Sequence, residues 1–514
     1  VSRMACDKAA LKRLFGRSHT RVPVLLVGAN AQAEMFIRES ERSVDFPYRA
    51  VGLIDEDSRQ RGREIHGVRI YGNRAELSYI LRKLARKGRA PQRILLTDAS
   101  LAREDYETLL AAAKDANLSL ARLPSLSELK AGKAVHEVHA IAVEDILGRT
   151  QAVLNRDAMR AFITGKRVLV TGAGGSIGSE MVRQIASFEP AELLLYELSE
   201  FALYSIGQEI RRLSPELMVH EVLGDVRNAG QLARVFSDFQ PQIVFHAAAI
   251  KHVPLSETNP DQAVLTNILG GKQVAEACAA HGVTAMVQIS TDKAVNPTSV
   301  MGATKRVAEM VAQALGQAST ASTRFITVRF GNVLNSAGSV VPLFQQQIAR
   351  GGPVTVTHPD MVRYFMTIGE AVQLVLKAAA LGAESDAETR APIFVLDMGE
   401  PVRIEELACQ MIRLAGLRPY TDIKIEFTGL RAGEKLFEEL FHTQEDLLPT
   451  RYESVRLAHA RSGDTTTLFA AIQALLDAAQ RGDNSHIRPL LKTIIPEYEF
   501  PTEISPFNPT SQRV

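Results

Sequence analysis

The sequence predicts an α/β protein built of two parallel-sheet domains, a small N-terminal one and a larger one after it. Three observations carry this. Short apolar runs alternate with helical patterns through most of the 514 residues, as parallel strands joined by crossover helices do. Two of the runs, Val24-Leu25-Leu26-Val27 and Val168-Leu169-Val170-Thr171, each lead into a glycine-bearing turn, at Gly28 and Gly172. The turns are far enough apart to open separate domains, and at about 150 residues per domain the chain exceeds a single core.

Composition narrows the function classes. An apolar share of 46% leaves ample material to bury. The 59 Lys and Arg nearly cancel the 58 Asp and Glu, so no global field attracts nucleic acid and none is expected as a partner. Cys6, Cys278 and Cys409 lie far apart without a CxxC pair, so neither a disulfide framework nor a metal site is expected. No run approaches the roughly 20 apolar residues of a membrane-spanning helix. The start, Val1-Ser2-Arg3-Met4, lacks the apolar region of a signal peptide. The chain as written is expected in the cytoplasm.

Residues 20–135 read as the small domain. Its further strands are expected at Tyr48–Ile54, 94–97 and 118–123, with a helix at 75–87 that puts Leu77, Ile80, Leu81 and Leu84 on one face. The opposite face carries Arg82, Lys83, Arg86, Lys87 and Arg89, either a solvated surface or a contact for anionic lipid. The turn Gly28-Ala29-Asn30-Ala31-Gln32-Ala33 keeps only part of a G-x-G-x-x-G/A pattern. Asn30 stands where the middle glycine would be and would crowd a pyrophosphate, so a degenerate domain with a structural or regulatory role is expected. Residues 136–166 read as a connector.

The larger domain, 167–500, divides into a dinucleotide-binding part at 167–330 and a substrate-binding lobe at 331–500. A buried strand at 168–171 precedes Gly172, Gly175 and Gly178, in GxxGxxG spacing, and a helix opens at Ser176 and Ile177. Small residues there allow a tight turn, close approach of backbone to pyrophosphate and close helix–strand packing. The helix N-terminus offers free N–H groups to the phosphates. Strand 192–196 ends at Glu197, about 20 residues past the last glycine, where an acid holds a ribose 2′-hydroxyl and repels a 2′-phosphate. That favours NAD over NADP. Strand 220–223 ends in Gly224-Asp225-Val226, with Asp225 placed to reach the adenine edge. Strand Ile243–His246 ends in Ala247-Ala248-Ala249, small enough for the cofactor to lie against the backbone. Both domains are therefore expected to be Rossmann-like, the first degenerate.

These motifs resemble the extended short-chain dehydrogenase/reductase superfamily. Lys251-His252-Val253-Pro254, Ser290-Thr291-Asp292-Lys293-Ala294 and Arg329-Phe330-Gly331-Asn332-Val333-Leu334 are similar to its polysaccharide-biosynthesis branch, which holds UDP-N-acetylglucosamine 4,6-dehydratases, and the two-domain layout resembles the large, membrane-anchored members. The resemblance implies a lyase of the hydro-lyase class that oxidises the sugar at C4 with bound NAD, eliminates water across C5–C6, and returns the hydride to C6. It implies retention at C5, and anchoring of the full-length protein at the inner membrane with this part in the cytoplasm. A homo-oligomer is expected. Asp292 would protonate the departing 6-hydroxyl, Lys293 would be the C5 base with a lowered pKa, and Thr291 would bond the 4-oxygen.

The superfamily's Tyr-x-x-x-Lys is here Met301-Gly302-Ala303-Thr304-Lys305. Lys305 keeps its place at the nicotinamide ribose, but a thioether accepts no proton usefully, and the base for the 4-hydroxyl stays open. By the same resemblance Lys251, Asn332, Ser336, Gly338, Ser339, Arg363, Arg431 and Glu434 hold the UDP-sugar. A nucleotide-sugar epimerase, or a scaffold that binds NAD and UDP-sugar without turnover, is the alternative.

Overall fold

The computed structural model describes residues 21–141 and 156–500, apart from positions 44, 98–100, 102, 117, 125–128, 130–133, 319–321, 385–390, 443–444, 446 and 459–464. Two compact units divide the chain, one taking residues 1–153 with 410–418 and the other residues 154–409 with 419–514.

In the first unit Tyr48–Ile54, Val22–Val27, Arg93–Leu96 and Ser119–Arg122 form a parallel sheet in that order, with His139–Ala140 added antiparallel at one edge. The central strand is apolar on both faces because helices cover both. Val24 and Leu26 pack with Phe36 and Ile37 of helix Ala31–Arg42. Leu25 and Val27 pack with Leu77, Ile80, Leu81 and Leu84, the face expected of the helix that forms at Leu77–Arg86. The five cations opposite are all exposed. At the first glycine turn Asn30 Oδ1 accepts from the N–H groups of Gln32 and Ala33, while Ala29 N–H donates to Asp55. The side chains of the turn thus take up N–H groups that a phosphate would need.

The second unit holds a nine-stranded sheet. Its order is Met218–Leu223, Glu192–Glu197, Arg167–Thr171, Ile243–His246, Ala285–Thr291, Arg324–Phe330 and Ile393–Leu396, all parallel, then Val455–Ala458 and Leu447–Pro449 antiparallel. The last three strands lie beyond residue 330, where the sequence pattern loosens into loops; they are short and fully formed only by pairing. Helix Asp157–Ile163, inside the stretch read as a connector, buries Met159 and Ile163 in this unit's core. Helices Ser176–Ala186 and Ile368–Glu384 cover one sheet face. Ala229–Phe239 and Gly271–Ala280 cover the other. Helix Val300–Gln317 is buried along most of its length, since Thr465–Gln480 and Asn484–Ile494 close over it. The strand order reverses between Arg167–Thr171 and Ile243–His246, the place where such sheets open a ligand crevice. Among the described residues no helix is long and apolar enough to cross a membrane.

Candidate active site

The second glycine turn is built by contact. Gly172 takes φ +67°, and a Cβ there would lie 2.6 Å from the backbone nitrogen of Ala248. A Cβ on Gly178 would lie 1.9 Å from the carbonyl oxygen of Gly172. Helix Ser176–Ala186 starts from Gly175 without a side-chain cap, so, unlike the first turn, it presents its first N–H groups unclaimed by its own cap. The cradle fits a dinucleotide pyrophosphate. Glu197 accepts from Gly174 N–H and Ser199 N–H at 2.9 Å each, at the mouth of the turn. Asp225 is clasped by Arg227 through both carboxylate oxygens, and those bonds hold its carboxyl below the usual range. Val226 is buried against Gly270.

A cavity of about 820 Å³ opens beside this turn. Gly175, Ser176, Ile177, Gly178 and Ala247 line one part of it; Thr291, Lys293, Met301 and Lys305 line another; Lys251, Asn332, Ser336, Gly338, Ser339, Arg363 and Glu434 line a third. Of the expected substrate contacts only Arg431 lies outside, exposed, with its backbone N–H on Glu434.

Register explains the reactive cluster. Strand Ala285–Thr291 runs through Ser290 to Thr291, which pairs with Phe330. Lys293 and Asn332 therefore leave adjacent strand ends together, and Lys293 Nζ donates to Asn332 Oδ1 at 3.0 Å. It also donates to Asp292 Oδ1 at 3.0 Å, and Thr291 Oγ1 donates to the same oxygen at 2.8 Å. The other oxygen, Asp292 Oδ2, is buried without a partner among the described residues. The expected lowering of the Lys293 pKa is corrected: burial pulls it down, but the carboxylates of Asp292 and Glu438 overcome this and hold it above the ordinary value. Burial instead lowers two other lysines of the cavity, Lys251 and Lys305, the latter to about 8. Lys305 sits one helical turn after the buried Met301.

Arg363 lines the cavity while its guanidinium donates to the carbonyl oxygens of Val362, Leu436 and Lys435 and faces Glu438 at 3.5 Å. It thereby braces the 433–438 loop.

Two groups were missed in the sequence. Glu438 reaches Lys293 Nζ at 3.5 Å. It is separated from it by much of the chain, and only the glutamate-rich stretch around Glu434 hinted at it. Glu309 accepts from Ser290 Oγ at 2.6 Å and from Arg306 and Arg329. Burial works to raise it, yet Arg329 leads the cations that bring it down to about 2. A lone acid in an apolar helix was the available signal.

The fold and cavity define a member of the extended short-chain dehydrogenase/reductase superfamily. The chain belongs to the polysaccharide biosynthesis protein family, which matches residues 168–460. It is similar to the capsular polysaccharide biosynthesis protein CapD of Staphylococcus aureus, 42% identical over 455 residues, 86% of this chain and 74% of that protein. Over 57% of this chain and 82% of the relative it is 32% identical to a UDP-N-acetylglucosamine 4,6-dehydratase (inverting) of Campylobacter jejuni. Over 54% and 79% it is 34% identical to a UDP-glucose 4-epimerase of Rickettsia bellii. The X-ray structure of Pen from Bacillus thuringiensis superposes with TM-score 0.52 at 30% identity, over 61% of this chain and 98% of that one. The expected hydro-lyase class does not stand. Epimerases, which are isomerases, match as well as a dehydratase does, and the class common to these relatives is a sugar-modifying enzyme of oxidoreductase or isomerase type.

Proposed function

We propose that this enzyme binds NAD and UDP-N-acetylglucosamine and carries out 4,6-dehydration of the sugar. What supports the reading is one hydrogen-bonded unit, Thr291–Asp292–Lys293, whose Thr291 and Lys293 line the cavity that the glycine turn borders while Asp292 lies buried directly behind them. Gly172, Gly175, Ser176, Ile177, Gly178 and the Ala247-Ala248 backbone would hold the pyrophosphate, Glu197 the adenosine ribose, and Lys305 the nicotinamide ribose. NAD supplies a reversible hydride store there, so oxidant is not consumed over a turnover.

The chain's own residues handle protons. Thr291 bonds the 4-oxygen and relays its proton to water in the cavity, because the Asp292 oxygen beside it takes the Lys293 proton. One transfer across the 3.0 Å contact, breaking Nζ–H and forming Oδ1–H, converts the resting Asp292 carboxylate and Lys293 ammonium into an acid and a neutral amine. The amine takes the C5 proton and the acid protonates the departing 6-hydroxyl as water. Retention at C5 follows if Lys293 returns the proton it removed, since Met301 carries none. Membrane association of the whole protein and a homo-oligomer rest on the resemblance alone.

The test is incubation with UDP-N-acetylglucosamine, followed by mass spectrometry and NMR of the product. Loss of one water with C5 unchanged is expected. A mass-neutral product would assign an epimerase, and bound NAD with no product from any UDP-sugar would assign a scaffold.

A further inference from the structure

We infer that Glu438 is a positioning residue of this site, closing a ring of three oxygens around Lys293 Nζ. This rests on the role proposed for Lys293 above. The oxygens come from three elements: Asp292 Oδ1, hydrogen-bonded at 3.0 Å in the turn Asp292–Ala294, Asn332 Oδ1, hydrogen-bonded at 3.0 Å in strand Asn332–Val333, and Glu438 Oε1, an ion-pair partner at 3.5 Å from the 433–438 loop. An ammonium has three N–H donors and no acceptor; two of them are taken by Asp292 and Asn332, and the Glu438 carboxylate faces the charge as an ion-pair partner. A neutral amine would turn a lone pair onto an acceptor. Glu438 thereby keeps the proton on Lys293 while the site rests.

The carboxylate is held in place from behind. Its side chain is 4% exposed, and Arg363 Nη2 stands 3.5 Å from the same Oε1. Arg363 is itself tied to three backbone carbonyls, two of them at Lys435 and Leu436, so Glu438 cannot swing away from Lys293 without disturbing its own loop. The charged groups facing Lys293 are thus Asp292, Glu438 and Arg363, two anions and one cation. Burial favours loss of the proton and the two carboxylates prevail.

Trace acetylation of the intact protein across alkaline pH, read by mass spectrometry of the peptide holding Lys293, measures that titration without substrate. The wild-type lysine is expected to titrate above the ordinary value of about 10.4. In Glu438→Gln the titration should fall by about 1–3 pH units, the range for loss of one opposite charge at this distance, and Glu438→Asp should restore most of it. The alkaline limb of kcat/KM for UDP-N-acetylglucosamine should shift in the same direction. A wild-type value at or below the ordinary one, or the same value in Glu438→Gln, overturns the inference. Should Glu438→Gln fail to fold, the wild-type and Glu438→Asp values decide. Turnover by an enzyme whose Lys293 ignores Glu438 sinks this inference alone. A Glu438-dependent Lys293 in a protein that turns over no UDP-sugar sinks the proposed function alone.

Discussion

Lys293 Nζ and Asp292 Oδ1 stand 3.0 Å apart, so a single proton lies between the proposed base and the proposed acid. Because both members share one proton, removing either breaks the same step. Lys293→Met and Asp292→Asn are each expected to lower kcat by about 10²–10⁴-fold, with the double variant little worse than the single ones. Steady-state rates with circular dichroism as a folding control check this. Thr291 donates to the same Asp292 oxygen, so Thr291→Val should lose turnover with UDP-N-acetylglucosamine affinity largely kept. Full turnover in that variant would leave the 4-hydroxyl proton without its proposed route. These residues are adjacent in the sequence, and their nature was legible there. Their protonation was not, because it depends on Glu438 and Arg363, which arrive from elsewhere in the chain.

Two strand–turn–helix elements each carry a glycine-bearing turn, and they differ in what claims the first N–H groups of the helix. In the first, Asn30 caps helix Ala31–Arg42 by accepting from Gln32 and Ala33. Asn30→Ala is therefore expected to cost about 1 kcal/mol of that unit's stability, seen as earlier thermal unfolding, with turnover unchanged. In the second, Gly175 leaves helix Ser176–Ala186 without a side-chain cap, and Gly178 touches the turn it follows. Gly178→Ala would set a methyl 1.9 Å from the Gly172 oxygen, against backbone that can only shift. Loss of retained dinucleotide, measured on the purified protein, is the expected result. Spacing alone identified both turns. The difference between them was legible at one position, Asn30, because a cap is a local interaction between residues two or three apart.

Across the whole second unit, a buried charge network ties the sheet to its covering helix and to the C-terminal lobe. Ser290 and Arg329, paired across adjacent strands, both reach Glu309 on helix Val300–Gln317, and Arg329 continues to Glu445, 116 residues away along the chain. Breaking a buried pair by removing one partner costs about 3–5 kcal/mol, so Glu309→Ala should unfold well before the wild type. The pH dependence has a definite sign. Glu309 is held at about 2 against an ordinary 4.5, so its contribution is present in full above the ordinary value and is lost as pH falls from there through about 2. Thermal melting between pH 5 and pH 3 should show wild-type stability declining, with a shallower decline in Glu309→Gln.

By itself the sequence determined the α/β class, both glycine turns, the amphipathic helix at Leu77–Arg86 and the Thr291-Asp292-Lys293 segment. Each of these is local: apolar runs make strands, a stripe makes a helix face, and a tight turn needs glycine whatever surrounds it. Tertiary structure alone decided that short strands beyond residue 330 complete the same sheet, and that Arg363 braces a loop. It also decided that Lys293 rests as an ammonium. Those outcomes come from pairing and charge between distant segments, and in a buried site the electrostatic balance is set by whichever groups the fold brings within a few ångströms.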